Sequence, residues 1–377
     1  VFVDPVGIFR AIAQRNTGMR VALATLPILG IDGIEGGAAA MWIDYGDWDT
    51  LLRAHLLLDN PRAGVLKMAR LAQTDPMPGD AVPADTAKYA CGAIDLAAML
   101  DGAGQLYDRI RGDGEFAKLV ENQFTKRTRI APELIIEMTT GRIASVQGFG
   151  ETAEGKPVRI APARALLIDI KDPEATREVV GSLLTQLGVT HAWETHAGVE
   201  YVQFLNLESP EGGDESSDDR RRRRRLQAQG AMTCAAIVGD QLILSQTTPW
   251  LKKLIDTSAG LHERLAEHLP FRLTASRAKR LGANTIGGDE GRLLTYEDPG
   301  TQFRQWHAAG DSDASRERLN ELAEFAPPMR WLRDAIDEAG VPPLEAMMRH
   351  ATPTGGALFD TPRGFRFVAF AFKLEEE

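Results

Sequence analysis

One local pattern recurs along this chain: an apolar or alternating stretch, then Asp-Pro, then residues with a helical period. The copies lie at 1–10, 166–173 and 295–304. Aspartate accepts hydrogen bonds from the free N–H groups of a first helical turn. Proline suits the first helical position because the N–H that it lacks would go unused there. We therefore predict that Asp4, Asp172 and Asp298 cap helices and take no part in catalysis.

A hairpin signal that opens with small residues also recurs. The hairpins are predicted at 36–58, 141–160 and 355–374, and each follows a helical stretch, at 19–35, 115–138 and 315–349. Together the two patterns give the order strand, helix, helix, hairpin. Because this order occurs three times, the sequence predicts repeated units at 1–88, 89–164 and 291–377.

The segment between the second and third units has a different order of elements. Within 165–290 we predict a strand, a helix, three strands and a second helix, which resembles a ferredoxin-like sheet. The loop 208–230 begins with an acidic stretch without apolar residues and is predicted to be disordered. The predicted fold class is α+β, with repeated strand–helix–helix–hairpin units on largely antiparallel sheets and a ferredoxin-like middle segment.

The charge balance argues against a specific role in binding nucleic acid. The chain has 43 Lys and Arg against 53 Asp and Glu, a formal net charge of −10. An acidic surface repels phosphate backbones. A hydrophobic content of 44% leaves ample material for a core. No apolar run reaches the roughly 18 residues of a membrane-spanning helix, which excludes a polytopic membrane protein.

A run of six arginines is the one candidate contact site that the sequence offers. It consists of Arg220, Arg221, Arg222, Arg223, Arg224 and Arg225, directly after the acidic stretch. Three interpretations stay open: a solvated loop whose charges neutralise one another, a contact for a polyanion or partner, and a protease-sensitive site. The contact would be with an anionic polymer, a lipid head group or an acidic protein.

No motif assembles a catalytic, cofactor or metal site. The stretch 150–156 begins like a phosphate-binding loop, but Pro157 stands where Ser or Thr should bind magnesium. His191, Glu194 and His196 are close in sequence, but their spacing matches no single helix face. We therefore predict no catalytic, cofactor-binding or metal-binding residues and no cofactor. We expect a binding protein rather than an enzyme.

The two cysteines, Cys91 and Cys234, both lie in apolar stretches that have the character of strands. A free cysteine in such a stretch behaves as a small buried hydrophobic residue. We predict two reduced thiols in the core, while the spacing leaves a disulfide between them open. No pair of cysteines has the spacing of a redox motif or a zinc site.

The strand–Asp-Pro–helix units, the run 235–245 followed by a helix, and the Gly-Gly-Ala hairpins resemble a broad family of uncharacterised bacterial envelope proteins. The likeness is clearest over 160–310 and in the last hairpin. It implies α+β repeats outside the cytoplasm, in the periplasm or cell envelope, and it supplies no catalytic residues. The chain opens within a predicted strand without a signal segment, so we expect its true N-terminus to be processed, trimmed or unseen.

These observations favour a non-catalytic extracytoplasmic protein with a binding or structural role. Three alternatives stay open: a carrier of a lipid or other apolar ligand in a cavity between sheet and helices, a subunit of a larger assembly, and a hydrolase of unknown substrate. The expected partners are a protein, a second copy of the chain, or an anionic polymer or lipid head group at the arginine run. No specific nucleic acid is expected.

Overall fold

All named strands in the described part of the chain belong to one antiparallel sheet of fourteen strands. The structure is a computed structural model. It describes residues 1–14, 16–151, 158, 160–186, 189–204, 231–283, 291–325, 327–349 and 351–373. In chain order the strands are β1 Phe2–Val3, β2 Ile34–Tyr45, β3 Trp48–Leu58, β4 Leu71–Ala72, β5 Lys88–Ile94, β6 Thr139–Gly148, β7 Ala163–Ile170, β8 Ala192–His196, β9 Val199–Gln203, β10 Cys234–Val238, β11 Gln241–Ser245, β12 Gly291–Glu297, β13 Thr354–Thr361 and β14 Gly364–Phe372.

The helices connect these strands or lie across the sheet. They are α1 Pro5–Ala13, α2 Thr17–Leu29, α3 Gly64–Met68, α4 Leu96–Arg111, α5 Glu115–Val120, α6 Lys126–Thr128, α7 Pro132–Met138, α8 Pro173–Gln186, α9 Thr248–Ser258, α10 Leu269–Ala283, α11 Pro299–Asp311, α12 Asp313–Phe325, α13 Pro327–Ala339 and α14 Leu344–Met348. The protein is therefore a mixed α+β fold built on a large antiparallel sheet. The predicted α+β class is confirmed.

Across the sheet the strands follow the order β1-β2-β3-β14-β13-β12-β5-β6-β7-β11-β10-β9-β8, and β4 pairs with β5 outside this path. In three places a strand is followed by helices and then pairs with the first strand of a hairpin. The pairs are β1 with β2, β5 with β6, and β12 with β13. This shared order describes topology alone, and the origin of the three segments from one duplicated unit stays a prediction.

The middle segment is not a ferredoxin-like unit in the described residues. Strands β8 to β11 pair consecutively as an antiparallel meander, and β11 then pairs antiparallel with β7. A ferredoxin-like unit has the order β-α-β-β-α-β, whereas here α9 follows the last strand. The difference comes from long-range pairing of β7 with β11, which the local pattern does not specify. The predicted disordered loop 208–230 lies outside the described residues.

The Asp-Pro pairs cap helices, as predicted. Asp4 Oδ1 accepts a hydrogen bond from Gly7 N at 2.7 Å, at the start of α1. Asp172 Oδ1 accepts from Ala175 N at 3.0 Å, at the start of α8. The strongest cap is Asp298, which begins α11, because it satisfies three donors and is only 8% exposed.

Helices α9 and α10 cover one face of the sheet and enclose the main core. From α9 the buried apolar side chains are Trp250, Leu251, Leu254 and Ile255. From α10, Phe271 stands between Tyr89 and Tyr296 with ring centroids 5.7 and 5.3 Å away, in edge-to-face contacts. Such aromatic contacts each add about 0.5–1.5 kcal/mol to the area that they bury. The core therefore lies between these two helices and one face of the central strands.

Both cysteines are buried as free thiols. Cys91 lies on β5 and Cys234 on β10, and both belong to the core under α9 and α10. Burial raises the pKa of the Cys234 thiol to about 11, with Thr233, Thr248 and Ser245 opposing the shift through hydrogen bonds. The prediction of two buried reduced thiols is confirmed, and these thiols stay protonated at neutral pH.

We expect Asp298→Ala to destabilise the protein more than Asp4→Ala. Asp298 accepts from Gly300 N at 2.9 Å, Thr301 Oγ1 at 2.8 Å and Arg304 Nη2 at 3.3 Å. Loss of a helix cap costs about 0.5–2 kcal/mol. The buried cap should lie at the upper end of that range and the exposed one at the lower end. Urea unfolding of the two variants measures the difference, and equal losses would contradict the burial argument.

Candidate ligand-binding groove

Helix α10 packs directly against the sheet at Gly355 on β13. A Cβ atom at this position would lie 2.1 Å from Thr274 Cγ2 and 3.0 Å from the Phe370 ring. Thr274 is itself fully buried, and its hydroxyl donates to Pro270 O at 2.9 Å. The absence of a side chain at Gly355 therefore lets the helix sit directly against the strand and fixes the helix position.

A groove of about 610 Å³ runs between another side of α10 and the sheet. Its floor is apolar and is formed by Ala278 of the helix, Leu294 of β12, and Ala357 and Phe359 of β13. Pockets that hold small ligands have volumes of about 300–1,000 Å³ and are mainly apolar with a few polar groups. The volume of the groove and its apolar floor are therefore typical of a site that binds a small ligand.

Three cationic side chains line this groove. Arg272 and Lys279 come from α10 and are seven residues apart, so they lie on the same side of the helix. Arg292 comes from β12 and adds a charge from the sheet. Among the described residues, none of the three has a carboxylate within 4.0 Å.

One acidic side chain also lines the groove, and its position does not neutralise the cations. Asp75 Oδ1 accepts a hydrogen bond from Met77 N at 3.2 Å within the loop that forms the opposite wall. The outer lip of the groove carries Leu269 and Leu273, both exposed leucines of α10. Cations and apolar surface are therefore combined in one concave site.

The loop opposite α10 is held in place by a hydrogen-bonded ion pair. Arg142 of β6 donates from Nη1 to both carboxylate oxygens of Asp169 on β7, at 2.9 Å each. Its Nε donates to Asp75 O at 3.0 Å, and Tyr89 OH donates to Pro76 O at 2.9 Å. Gln241 completes the network by donating to Asp169 at 2.8 Å. The wall of the groove is thus fixed before any ligand binds.

Further basic side chains lie on the strands beside the groove. Arg366 of β14 pairs with Phe359 across the strands and lies over its ring at 4.9 Å. Next to it, His55 of β3 pairs with Arg366. Burial, with the charges of Arg366 and Arg363, lowers the pKa of His55 below its ordinary value of 6.5. His55 is therefore mainly neutral at pH 7, because burial and the nearby arginine charges disfavour its protonated form.

A second cavity of about 510 Å³ lies on the opposite face of the sheet. Its floor includes Ala90, Ser145 and Thr295, which point away from the core under α10. The charges at its edge are already matched, since Lys88 Nζ lies 2.7 Å from Glu297 Oε1. This cavity offers no unmatched charge that would orient a ligand, so the α10 groove is the better candidate site.

None of the residues that stood out in the sequence is among the described residues that line this groove. The arginine run Arg220 to Arg225 lies outside the described residues, as does most of the stretch 150–156. The cluster of His191, Glu194 and His196 separates: His196 pairs with Asp256 at 2.8 Å, whereas Glu194 accepts from Tyr201 OH. In the described chain, no group of three or more His, Cys, Asp or Glu could hold a metal ion.

The groove residues Arg272, Lys279 and Arg292 were missed by the sequence analysis. A signal was present, because 269–283 contains four cations and no acid within an acidic chain. The pattern gives no indication that two of these cations share a groove with Arg292, since that depends on the docking of α10. Sequence patterns thus indicate a basic helix but not its partner surface.

Comparisons with protein-family models, with curated proteins and with solved structures find no match to this chain. No helix within the described ranges is both long enough and apolar enough to traverse a bilayer. The physical properties of the groove are therefore the basis for a functional proposal.

We expect Gly355→Ala to destabilise the protein by about 1–3 kcal/mol, the usual cost of overpacking a core. Adding Thr274→Ser should recover part of this loss, because serine lacks the clashing Cγ2 but keeps the hydroxyl that donates to Pro270. Gly181→Ala is the matched control, since no atom lies within 4 Å of its added Cβ. Denaturant unfolding checks the series. Equal effects at Gly355 and Gly181 would show that α10 is not closely packed there.

Replacement of His55 should reduce the loss of stability in mild acid. The folded state binds a proton at His55 less readily than the unfolded state, so protonation below pH 6.5 favours unfolding. Between about pH 7.5 and about pH 5.5, wild type should lose more stability than His55→Leu. Urea midpoints at the two pH values give the comparison. The same pH dependence in both proteins would contradict the lowered pKa.

Proposed function

We propose that this protein is a non-catalytic binding protein and that the α10 groove holds an anionic amphiphile. The observation that carries the proposal is that one concave site combines an apolar floor with three cations that have no ion-pair partner among the described residues. The ligand's apolar part would pack on Leu294, Ala357 and Phe359, and its anionic head would meet the cations. This proposal develops the sequence-based alternative of a carrier with a cavity between sheet and helix.

The charge of the whole chain supports an anionic ligand at this place. Against a formal net charge of −10, three cations that have no described carboxylate within 4.0 Å form a local positive group beside the single acid Asp75. Clefts with low-dielectric walls focus such a field and raise the local concentration of oppositely charged ligands. The apolar floor adds about 25 cal/mol for each Å² of apolar ligand surface that it covers.

The perturbed titratable groups support a binding role rather than catalysis. Burial raises the pKa of Tyr89 and of Cys91, both of which lie in the core under α10. His196 and Asp256 form a hydrogen-bonded pair, but the hydrogen bonds of the described residues place no nucleophilic hydroxyl or thiol on that histidine. A catalytic site needs such groups beside a substrate pocket.

Three further proposals rest on the sequence alone. The extracytoplasmic location follows from the resemblance to bacterial envelope proteins, and fractionation of cells that express the natural gene would test it. The origin of 1–88, 89–164 and 291–377 from one duplicated unit follows from the recurring Asp-Pro and hairpin patterns. A polyanion or partner contact at Arg220 to Arg225 is a separate proposal that the groove does not require.

The test compares laurate with dodecanol, which has the same alkyl chain without the charge, by isothermal titration below micelle formation. We expect laurate to bind at one site and dodecanol to bind at least about tenfold more weakly, equivalent to about 1.4 kcal/mol. Arg272→Ala should weaken laurate binding about tenfold and leave dodecanol unaffected. Arg280→Ala is the matched control, because Arg280 lies on the same helix but does not line the groove.

A second pair of variants tests the contribution of apolar contacts to ligand binding. Leu273→Glu places a charge at the groove lip and should weaken both ligands, whereas Leu261→Glu changes an exposed leucine away from the groove. Added salt should weaken laurate more than dodecanol, because exposed charges are screened. Absence of laurate binding, or equal effects of Arg272→Ala and Arg280→Ala, would overturn the proposed function.

A further inference from the structure

Another groove, of about 530 Å³, lies between helices α4, α5 and α7. Its α4 wall is one stripe of that helix, from Ala97 to Asp108, because the lining residues recur at intervals of three and four positions. Glu133, Ile136 and Glu137 form a stripe of the same kind on α7. The α4 stripe is about 16 Å long, or about three helical turns. This α4–α7 groove therefore has the walls and the length that suit a bound helix.

The apolar residues of the lining come from all three helices. Ala97 and Leu100 lie on α4, Phe116 on α5 and Ile136 on α7. Gly104 of α4 lets the Phe116 ring come close to that helix, since a Cβ atom at Gly104 would lie 3.1 Å from Phe116 Cδ1. The groove thus offers a continuous apolar lining to whatever enters it.

Hydrogen bonds fix α5 against α4. Asp108 Oδ1 accepts from Phe116 N at 2.7 Å, and its Oδ2 accepts from Gly114 N at 3.1 Å. The Phe116 ring also packs near Tyr107 of α4, with ring centroids 6.1 Å apart. The α4–α7 groove is therefore formed in the absence of a partner, which lowers the entropy cost of binding one.

All four charged residues that line the groove are acidic. Asp101 and Asp108 stand on the α4 wall, and Glu133 and Glu137 stand on the α7 wall. Basic residues occur nearby in the chain but do not line the groove. Within 109–129 they are Arg109, Arg111, Lys118, Lys126, Arg127 and Arg129. The lining residues of both walls thus carry negative charge only.

The four carboxylates differ in how far they are already satisfied. Asp101 lies 2.7 Å from Lys67 Nζ, and Asp108 accepts the two backbone hydrogen bonds given above. Glu133 and Glu137 are exposed, and neither has a basic group within 4.0 Å among the described residues. The α7 wall therefore presents two carboxylates without counter-charges beside an apolar lining.

We propose that the α4–α7 groove docks a basic amphipathic helix of a partner protein. Apolar side chains of that helix, spaced at i, i+3, i+4 and i+7, pack on Leu100, Phe116 and Ile136. Lysine and arginine side chains on both sides of its apolar stripe meet the carboxylates of the two walls. About three turns of the partner helix, or about 11 residues, fill the length of the groove.

Charge complementarity selects this occupant. A small cation would use the carboxylates but leave the apolar lining exposed to water. An uncharged helix would cover the lining but leave two acidic walls without counter-charges, whereas opposite charges across an interface provide specificity and faster association. The groove uses no residue of α10, so this inference does not depend on the proposed function.

The experiment is fluorescence anisotropy of the full chain with a labelled peptide of about 14 residues, built only of leucine and lysine with leucines at helical spacing. We expect a dissociation constant of about 1–100 µM. A peptide of the same composition, scrambled so that it has no apolar face, should bind at least about tenfold more weakly. Equal binding of the two peptides, or no binding of the amphipathic one, would overturn the proposal.

A charge-reversal pair locates the binding site. Glu137→Lys should weaken the amphipathic peptide about tenfold, because it places a cation on the α7 wall. Glu178→Lys is the matched control, since Glu178 is an exposed glutamate of α8 that does not line the groove. Both substitutions are at exposed positions, so both variants should stay folded. Equal weakening by the two would show attraction to the acidic chain as a whole and would contradict docking in this groove.

A second pair tests the apolar contacts. Ile136→Ala should weaken the amphipathic peptide about five- to tenfold, as truncation of a central interface side chain usually does. Ile110→Ala is the control, because Ile110 is an exposed residue of α4 outside the groove. Urea unfolding of both variants checks that the fold is kept. A folded Ile136→Ala variant that binds the peptide like wild type would contradict packing on the groove lining.

Sedimentation velocity of the full chain alone tests a second copy as the occupant. Helix α10 is itself basic, with four cations and no acid within 269–283. We expect the chain to show no self-association at the concentrations of the peptide titration. Self-association that Glu137→Lys abolishes and Glu178→Lys does not would assign the α4–α7 groove to a second copy and overturn the proposed partner.

Discussion

The seating of α10 on the sheet is the constraint on which the core and the candidate site both depend. Phe271 enters between Tyr89 and Tyr296, and Thr274 meets the backbone of Gly355 directly. These contacts hold one side of the helix against the strands. The neighbouring side carries Arg272 and other long side chains and stands off from the sheet. The groove is therefore a consequence of close packing on one side of the helix only.

The wall opposite α10 gives the groove its rigidity. Arg142 binds backbone carbonyl groups of the loop and the carboxylate of Asp169 at the same time, which ties the loop to two strands. Partly buried, hydrogen-bonded ion pairs of this kind are costly to break because either partner alone would be left uncompensated. A preformed site loses less conformational entropy when it binds a ligand. Packing of α10 and anchoring of the loop thus act on the same cavity from two sides.

Only features that depend on residues close together in the sequence could be predicted from it. Asp4, Asp172 and Asp298 cap helices because a cap needs only the residues of one turn. The hairpins predicted at 36–58 and 355–374 follow from short-range turn signals. The hairpin predicted at 141–160 was wrong in its second strand, because β6 pairs with β7 at Ala163–Ile170. The pairing of β7 with β11 joins distant residues, and without it the middle segment was wrongly predicted to be ferredoxin-like. The groove could not be predicted for the same reason, because it also depends on contacts between residues that are distant in sequence. Arg272 and Arg292 become neighbours of one cavity only through docking of α10 on β12 and β13.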